Sequence, residues 1–141
     1  MLNGLGFSNG DSVMTKITSL DGLHRLRIEL VVKRNEEAQH GTIYVRVGTG
    51  TCGIAVGALE VLRSVETEIK TLQLKDVVVA EIGCIGLCSH EPILEVVVGK
   101  APKVAYGKVD PERVKRIVRE HIIGGKPVQE FIINATPFPT I

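Results

Sequence analysis

The feature that most constrains this chain is a pair of loops rich in glycine and cysteine, each directly after a run of strand-forming residues. Thr42 to Val47 is β-branched and aromatic. Gly48-Thr49-Gly50-Thr51-Cys52-Gly53 follows, and then Ile54, Ala58, Val61, Leu62, Val65, Ile69 and Leu72 fall on a helical stripe. Asp76 to Gly83 carries Val77-Val78-Val79, a run suited to a strand covered on both faces, and it leads straight into Cys84-Ile85-Gly86-Leu87-Cys88. The order is strand, glycine loop and helix, then a second strand and a second loop. Both cysteine loops are therefore expected at the C-terminal ends of adjacent strands.

The remaining elements complete an α/β pattern. Ser19 reads as an N-cap with Asp21 in the first turn, and Leu20, Leu23, Leu26, Ile28 and Leu30 to Val32 predict one amphipathic helix over roughly 19 to 38. Ile93 to Val98 and Lys103 to Tyr106 flank Gly99-Lys100-Ala101-Pro102, which predicts an antiparallel hairpin. Asp110 caps a helix with Pro111 at its first position, and Val114, Ile117, Val118 and Ile122 form its buried stripe. The expected fold is a four-stranded mixed sheet flanked by helices, its first two strands parallel through a crossover, with an extra N-terminal helix. Three parts follow: residues 1–40 as an arm and the N-terminal helix, 41–123 as the α/β domain, and 124–141 as a C-terminal extension running over the surface. Residues 1 to 13, rich in Gly, Ser and Asn, read as a flexible start or docking arm.

Composition removes several classes of function. A chain of 141 residues can bury a core without disulfides or metal, and with no Trp and two Tyr that core must be built from Val, Ile and Leu. A net charge of +1 without a basic run gives no footprint for nucleic acid. The most apolar stretch, Val77 to Leu87, is broken by Glu81 and is too short to span a bilayer, and the N-terminus lacks a signal-like pattern, so no membrane insertion and a cytoplasmic location are expected. Three cysteines, two of them four positions apart, make a poor disulfide framework and better candidates for reduced thiols that act as ligands or in catalysis.

Several chemistries are open to Cys52, Cys84 and Cys88. With His90 they supply the ligand types of a closed tetrahedral zinc site. Gly48-x-Gly50-x-x-Gly53 after a strand and before a helix satisfies the dinucleotide fingerprint, although no acidic residue stands at the expected distance beyond it. Each cysteine could also be only a small apolar residue. His24, His40 and His121 read as surface or cap residues, and no dyad, triad or phosphate loop is visible.

Taken together, Val47-Gly-Thr-Gly-Thr-Cys52-Gly-Ile-Ala-Val-Gly-Ala58, Gly83-Cys-Ile-Gly-Leu-Cys88, Glu91-Pro92 and Tyr106-Gly107-Lys108-Val109 resemble the thioredoxin-like 2Fe-2S ferredoxins. In particular they resemble the N-terminal domain of the flavin-bearing, NADH-oxidising subunit of complex I-like modules and multimeric hydrogenases. The resemblance runs from about residue 42 to about residue 133 and implies a thioredoxin-like fold around an iron-sulfur site. The family holds its cluster by C-x4-C and C-x3-C pairs; the last three cysteines map onto Cys52, Cys84 and Cys88 as metal ligands, and the first onto Val47, which cannot ligate. Thr49, Thr51, Ser89 and His90 are local substitutes. Gly48, Gly50, Thr51, Gly53 and Gly86 are the expected cofactor-contacting positions, where small residues let backbone N–H groups approach the sulfurs. The implied function is electron transfer rather than catalysis, beside flavin/NAD(P)-binding oxidoreductase or hydrogenase subunits, with a homodimer as another assembly. A module that keeps the fold without a cluster and serves docking is the alternative.

Overall fold

The computed structural model describes residues 16–134, so the arm expected over residues 1–13 and the last part of the tail lie outside the described residues. The chain divides between a first unit ending at Lys33 and a second beginning at Arg34. Helix α1 (Leu20–Gln39) starts where the sequence placed it: the Ser19 hydroxyl accepts the Gly22 N–H at 3.1 Å. It is not amphipathic. At about 100° per residue, Leu20, Leu23 and Leu30 lie on one side of the cylinder and Ile28 and Val32 on the other. None of its residues is buried.

The second unit is built on a five-stranded sheet in the order β2-β1-β3-β4-β5. Its strands are β1 (Ile43–Gly48), β2 (Val77–Ile82), β3 (Leu94–Val98), β4 (Val104–Tyr106) and β5 (Ile132–Asn134). β1 pairs in parallel with β2 and antiparallel with β3, with Val45 between Val79 and Val96. The mixed sheet is the expected one, with one strand more. The tail that was expected to run over the surface turns back, buries Val128 and adds β5 antiparallel to β4. An edge strand needs only a few residues with one free side, and Phe131 and Ile132 supply the apolar contact.

The helical stripe after the first loop is broken into α2 (Thr51–Ala55) and α3 (Ala58–Thr71), because Gly57 between them has φ of +101°. α3 turns Ala58, Val61 and Val65 inward, spaced three and four apart. α4 (Pro111–Ile117) is capped by Asp110, whose side chain accepts the Arg113 N–H at 2.8 Å. It continues as a π turn, Val118–Ile123. The core holds Val45 and Val47 of β1, Leu94 and Val96 of β3, Val104 and Tyr106 of β4, and the inward residues of α3 and α4. Full burial of each such side chain is worth roughly 1.5–3 kcal/mol.

The core contains one polar chain of contacts. Tyr106 is fully buried and His121 is 5% exposed. The Tyr106 hydroxyl accepts the Val128 N–H at 3.2 Å and stands 2.8 Å from His121 Nδ1. A hydroxyl oxygen carries two acceptor sites, so the direction of this second bond follows the tautomer of the imidazole. Burial lowers the His121 pKa and pushes that of Tyr106 up to about 12. His121 is thus an interior residue and not the surface or cap residue expected of it. Tyr106→Phe leaves both partners unmet and should cost about 1–3 kcal/mol in denaturant unfolding. Because the folded pKa of His121 lies below its unfolded value, the unfolded chain takes up the extra proton on acidification. Stability should be level above about pH 6.5 and fall below it, and His121→Gln should remove that part of the slope.

Candidate metal centre

The parallel register sets Gly48 opposite Ile82, so the loops after β1 and β2 leave the sheet side by side. Thr49 N–H donates to the Ile82 carbonyl at 2.9 Å and fixes the first residue of the first loop to the last of the second strand. β3 runs the other way and starts at the same rim, where Gly48 N–H donates to the Ile93 carbonyl at 3.0 Å. Cys52 lies in the first turn of α2. Cys84 follows β2, and Cys88 opens a single 3-10 turn, Cys88–His90. All three cysteines are exposed and free.

The glycines are there for close approach. A β-carbon on Gly50 would stand 3.0 Å from Cys84 N and 3.2 Å from Cys84 Cβ, and one on Gly53 would stand 2.3 Å from the Gly48 carbonyl oxygen. The glycine spacing that resembles a dinucleotide fingerprint is thus explained by loop packing. A buried carboxylate, Glu91, also lies against Gly48 and Gly53, where a pyrophosphate would meet like charge.

The thiols approach one another. Cys84 Sγ and Cys88 Sγ are 3.5 Å apart, and Gly86 N–H donates to Cys84 Sγ at 3.3 Å. Cys88 is held above the ordinary thiol pKa, first by a hydrogen bond with Cys52; the bond with Cys84 acts in the opposite direction. Two sulfurs bound at about 2.3 Å to one tetrahedral ion stand about 3.8 Å apart, so the Cys84–Cys88 pair has the spacing of two donors on one metal. Among the described residues no group of three or more His, Cys, Asp and Glu is arranged to hold a metal ion. The four-donor zinc reading therefore finds no closed set, and His90 Nδ1 is instead 3.1 Å from Ser89 Oγ. A two-iron cluster spreads its ligands over two metals and does not need one closed set.

Val47, aligned with the first family cysteine, is not at this rim. It is wholly buried and belongs to the apolar core cluster, so a cysteine in its place would add a thiol to the core and not a ligand to the loop. Among the expected substitutes, Thr49 Oγ1 donates to Glu81 Oε2 at 2.8 Å, Ser89 and His90 bond each other, and Thr51 is exposed at the start of α2. The sequence reading gave Glu91 no role, although it is only 3% exposed and its Oε2 accepts the Ile93 N–H at 2.9 Å. Its signal was an acid set between the cysteine loop and the apolar run Pro92-Ile93-Leu94.

No family model matches the sequence. Over 80 residues the chain is 35% identical to a 2Fe-2S ferredoxin of Aquifex aeolicus, covering 55% of this chain and 69% of that protein. A crystal structure of the thioredoxin-like 2Fe-2S ferredoxin from Aquifex aeolicus matches with a TM-score of 0.60 at 29% identity, over 67% of this chain and 98% of that one. A second structure of such a ferredoxin from the same organism gives 0.62 at 26% identity, over 72% and 98%. The chain belongs to the thioredoxin-like 2Fe-2S ferredoxin family. It is also 28% identical over 119 residues to the NADP-reducing hydrogenase subunit HndB of Solidesulfovibrio fructosivorans, covering 84% of this chain and 93% of that subunit. No helix among the described residues is long and apolar enough to cross a membrane.

The packing at the first loop gives a sharp test. Gly53→Ala forces a methyl group against a backbone oxygen, and unfolding in denaturant should show a loss of about 3 kcal/mol, the top of the ordinary overpacking range. Gly83→Ala, where a β-carbon meets nothing within 4 Å, should stay within about 0.5 kcal/mol of the parent.

Proposed function

We propose that this chain is an electron-transfer module that carries a 2Fe-2S cluster on Cys52, Cys84 and Cys88. In this reading it serves an NAD(P)-linked oxidoreductase or hydrogenase complex and is not a catalyst on its own. The observation that carries the reading is the 3.5 Å approach of the Cys84 and Cys88 sulfurs, on the loop beside the one that bears Cys52, in a member of a 2Fe-2S ferredoxin family. The cluster, when bound, supplies one-electron chemistry, and the residues of the chain hold and tune it.

Gly86 N–H already donates to Cys84 Sγ, and a donor on a ligand sulfur stabilises negative charge there and so favours an added electron. In this reading Gly48, Gly50, Thr51 and Gly53 would line the cluster from the first loop, with Gly50 keeping that loop close against Cys84. All three cysteines are solvent-exposed, so electrons exchange with a partner that covers this rim. The similarity to a hydrogenase subunit over 93% of its length supports flavin/NAD(P)-binding or hydrogenase subunits as those partners.

The test is anaerobic reconstitution of the full chain with ferrous iron and sulfide. About two irons and two sulfides per chain are expected, with visible absorption that bleaches on reduction. Cys84→Ser and Cys88→Ser should each lose at least half of the iron while keeping the far-ultraviolet circular dichroism of the parent. A wild-type chain that takes up no iron and whose three thiols all react freely with a thiol reagent removes the reading in favour of a cluster-free docking module.

A further inference from the structure

A 2Fe-2S cluster takes four protein ligands, and the cysteines supply three. Beneath them lies a group that the electron-transfer reading leaves unused. Glu91 follows Cys88 by three positions, is 3% exposed and presents its carboxylate to the first loop. A β-carbon on Gly48 would stand 3.2 and 3.3 Å from its two oxygens, and one on Gly53 would stand 3.2 Å from Oε2. The carboxylate therefore sits between the end of β1 and the first turn of α2, beside the backbone that carries Cys52. Its charge is also felt at Cys88.

Burying a carboxylate costs several kcal/mol unless a cation or strong donors compensate it. The donor that meets Glu91 is a neutral backbone N–H, on Oε2. A carboxylate has about four acceptor sites, so capacity is left over. Of the other candidate donors near the loops, Thr49 is turned to Glu81 and Ser89 and His90 to each other, while Thr51 offers only a neutral hydroxyl at the exposed start of α2. Iron in non-haem sites accepts carboxylate oxygen readily.

We propose that the Glu91 carboxylate is the fourth protein ligand, with Cys84 and Cys88 on one iron and Cys52 and Glu91 on the other. This rests on the cluster reading above. The pairing follows the fold, because Cys84 and Cys88 share one loop, while Glu91 touches the two glycines that flank the stretch bearing Cys52. A carboxylate carries the same unit charge as the thiolate it replaces, so the site keeps the total charge of a four-thiolate centre.

The experiment compares the wild-type chain with Glu91→Gln and with the double variant Gly48→Cys/Glu91→Ala. Each is reconstituted with ferrous iron and sulfide and followed by iron and sulfide content, loss of iron to a chelator, the electron paramagnetic resonance of the reduced form, and circular dichroism. Gln keeps the volume and an oxygen for the Ile93 N–H but is a poor ligand. That variant should fold and lose iron at least about tenfold faster than wild type. The double variant sends a thiol into the volume that the carboxylate vacates, and it should recover the iron with an altered resonance spectrum. In wild type, iron X-ray absorption should show an oxygen shell that is absent from the double variant.

A folded Glu91→Gln chain with wild-type iron retention and an unchanged spectrum overturns the assignment while leaving the cluster reading intact. So does a wild-type cluster with sulfur neighbours alone, whatever the variants do. A wild-type chain that takes no iron removes both.

Discussion

β1 is hydrogen-bonded along both edges, parallel to β2 and antiparallel to β3, and that double pairing decides where chemistry can sit in this chain. Parallel pairing brings the ends of β1 and β2 together, and antiparallel pairing sets the beginning of β3 at the same rim. Two loops that are far apart in sequence, one around Cys52 and one running from Cys84 through Cys88 to Glu91, are thereby forced to share one small space. Main chain meets main chain there at ordinary van der Waals distance, so side chains have to be absent at Gly50 and Gly53. The glycine content of the first loop follows from the sheet as much as from any ligand.

The residues that hold the fold and the residues that gather at the rim are different sets. None of the three cysteines belongs to the buried apolar cluster, which is built from Val, Leu, Ile and Tyr of β1, β3, β4, α3 and α4. Polar groups inside the unit are met locally. Glu95, 3% exposed at its side chain, takes Lys103 at 2.8 Å with Arg46 at 3.9 Å, and Tyr106 joins His121 to the returning tail. Glu91 differs from these: among the described residues the donor on its carboxylate is the neutral Ile93 N–H.

Much of this was legible in the sequence because the signals were local. A β-branched run, a glycine loop and a helical stripe specify strand, turn and helix by steric preference alone, and Asp110-Pro111 marks a helix start through one hydrogen bond and one fixed dihedral. The meeting of Cys52 with Cys88 was legible only through the expected parallel pairing, since nothing in either loop encodes the other. Misread positions were those whose environment is set by distant chain. The helical stripe over residues 54–72 contains Gly57, whose left-handed φ splits it, and periodicity does not register a break that preserves the phase of Val61 and Val65. Val47 stands at the position of the family's first ligand cysteine, yet the alternation of β1 turns it into the core along with Val45. His121 and Glu91 are polar residues in apolar stretches, and their burial depends on Tyr106 and on the Gly48 and Gly53 backbones, which lie elsewhere in the chain.

The π turn at the end of α4 adds a point about phase. Gly124 N–H reaches back to the Arg119 carbonyl at 3.0 Å, a five-residue span that accommodates one residue more than an α turn. Val118, His121 and Ile122 are buried along this turn, in phase with Val114 and Ile117 of α4. Shortening residues 118–123 by one would look in an alignment like harmless trimming of a helix end. It would rotate everything beyond the cut by about 100° around the axis. The imidazole would swing off Tyr106, and the chain leading to Val128 and β5 would leave on a different bearing.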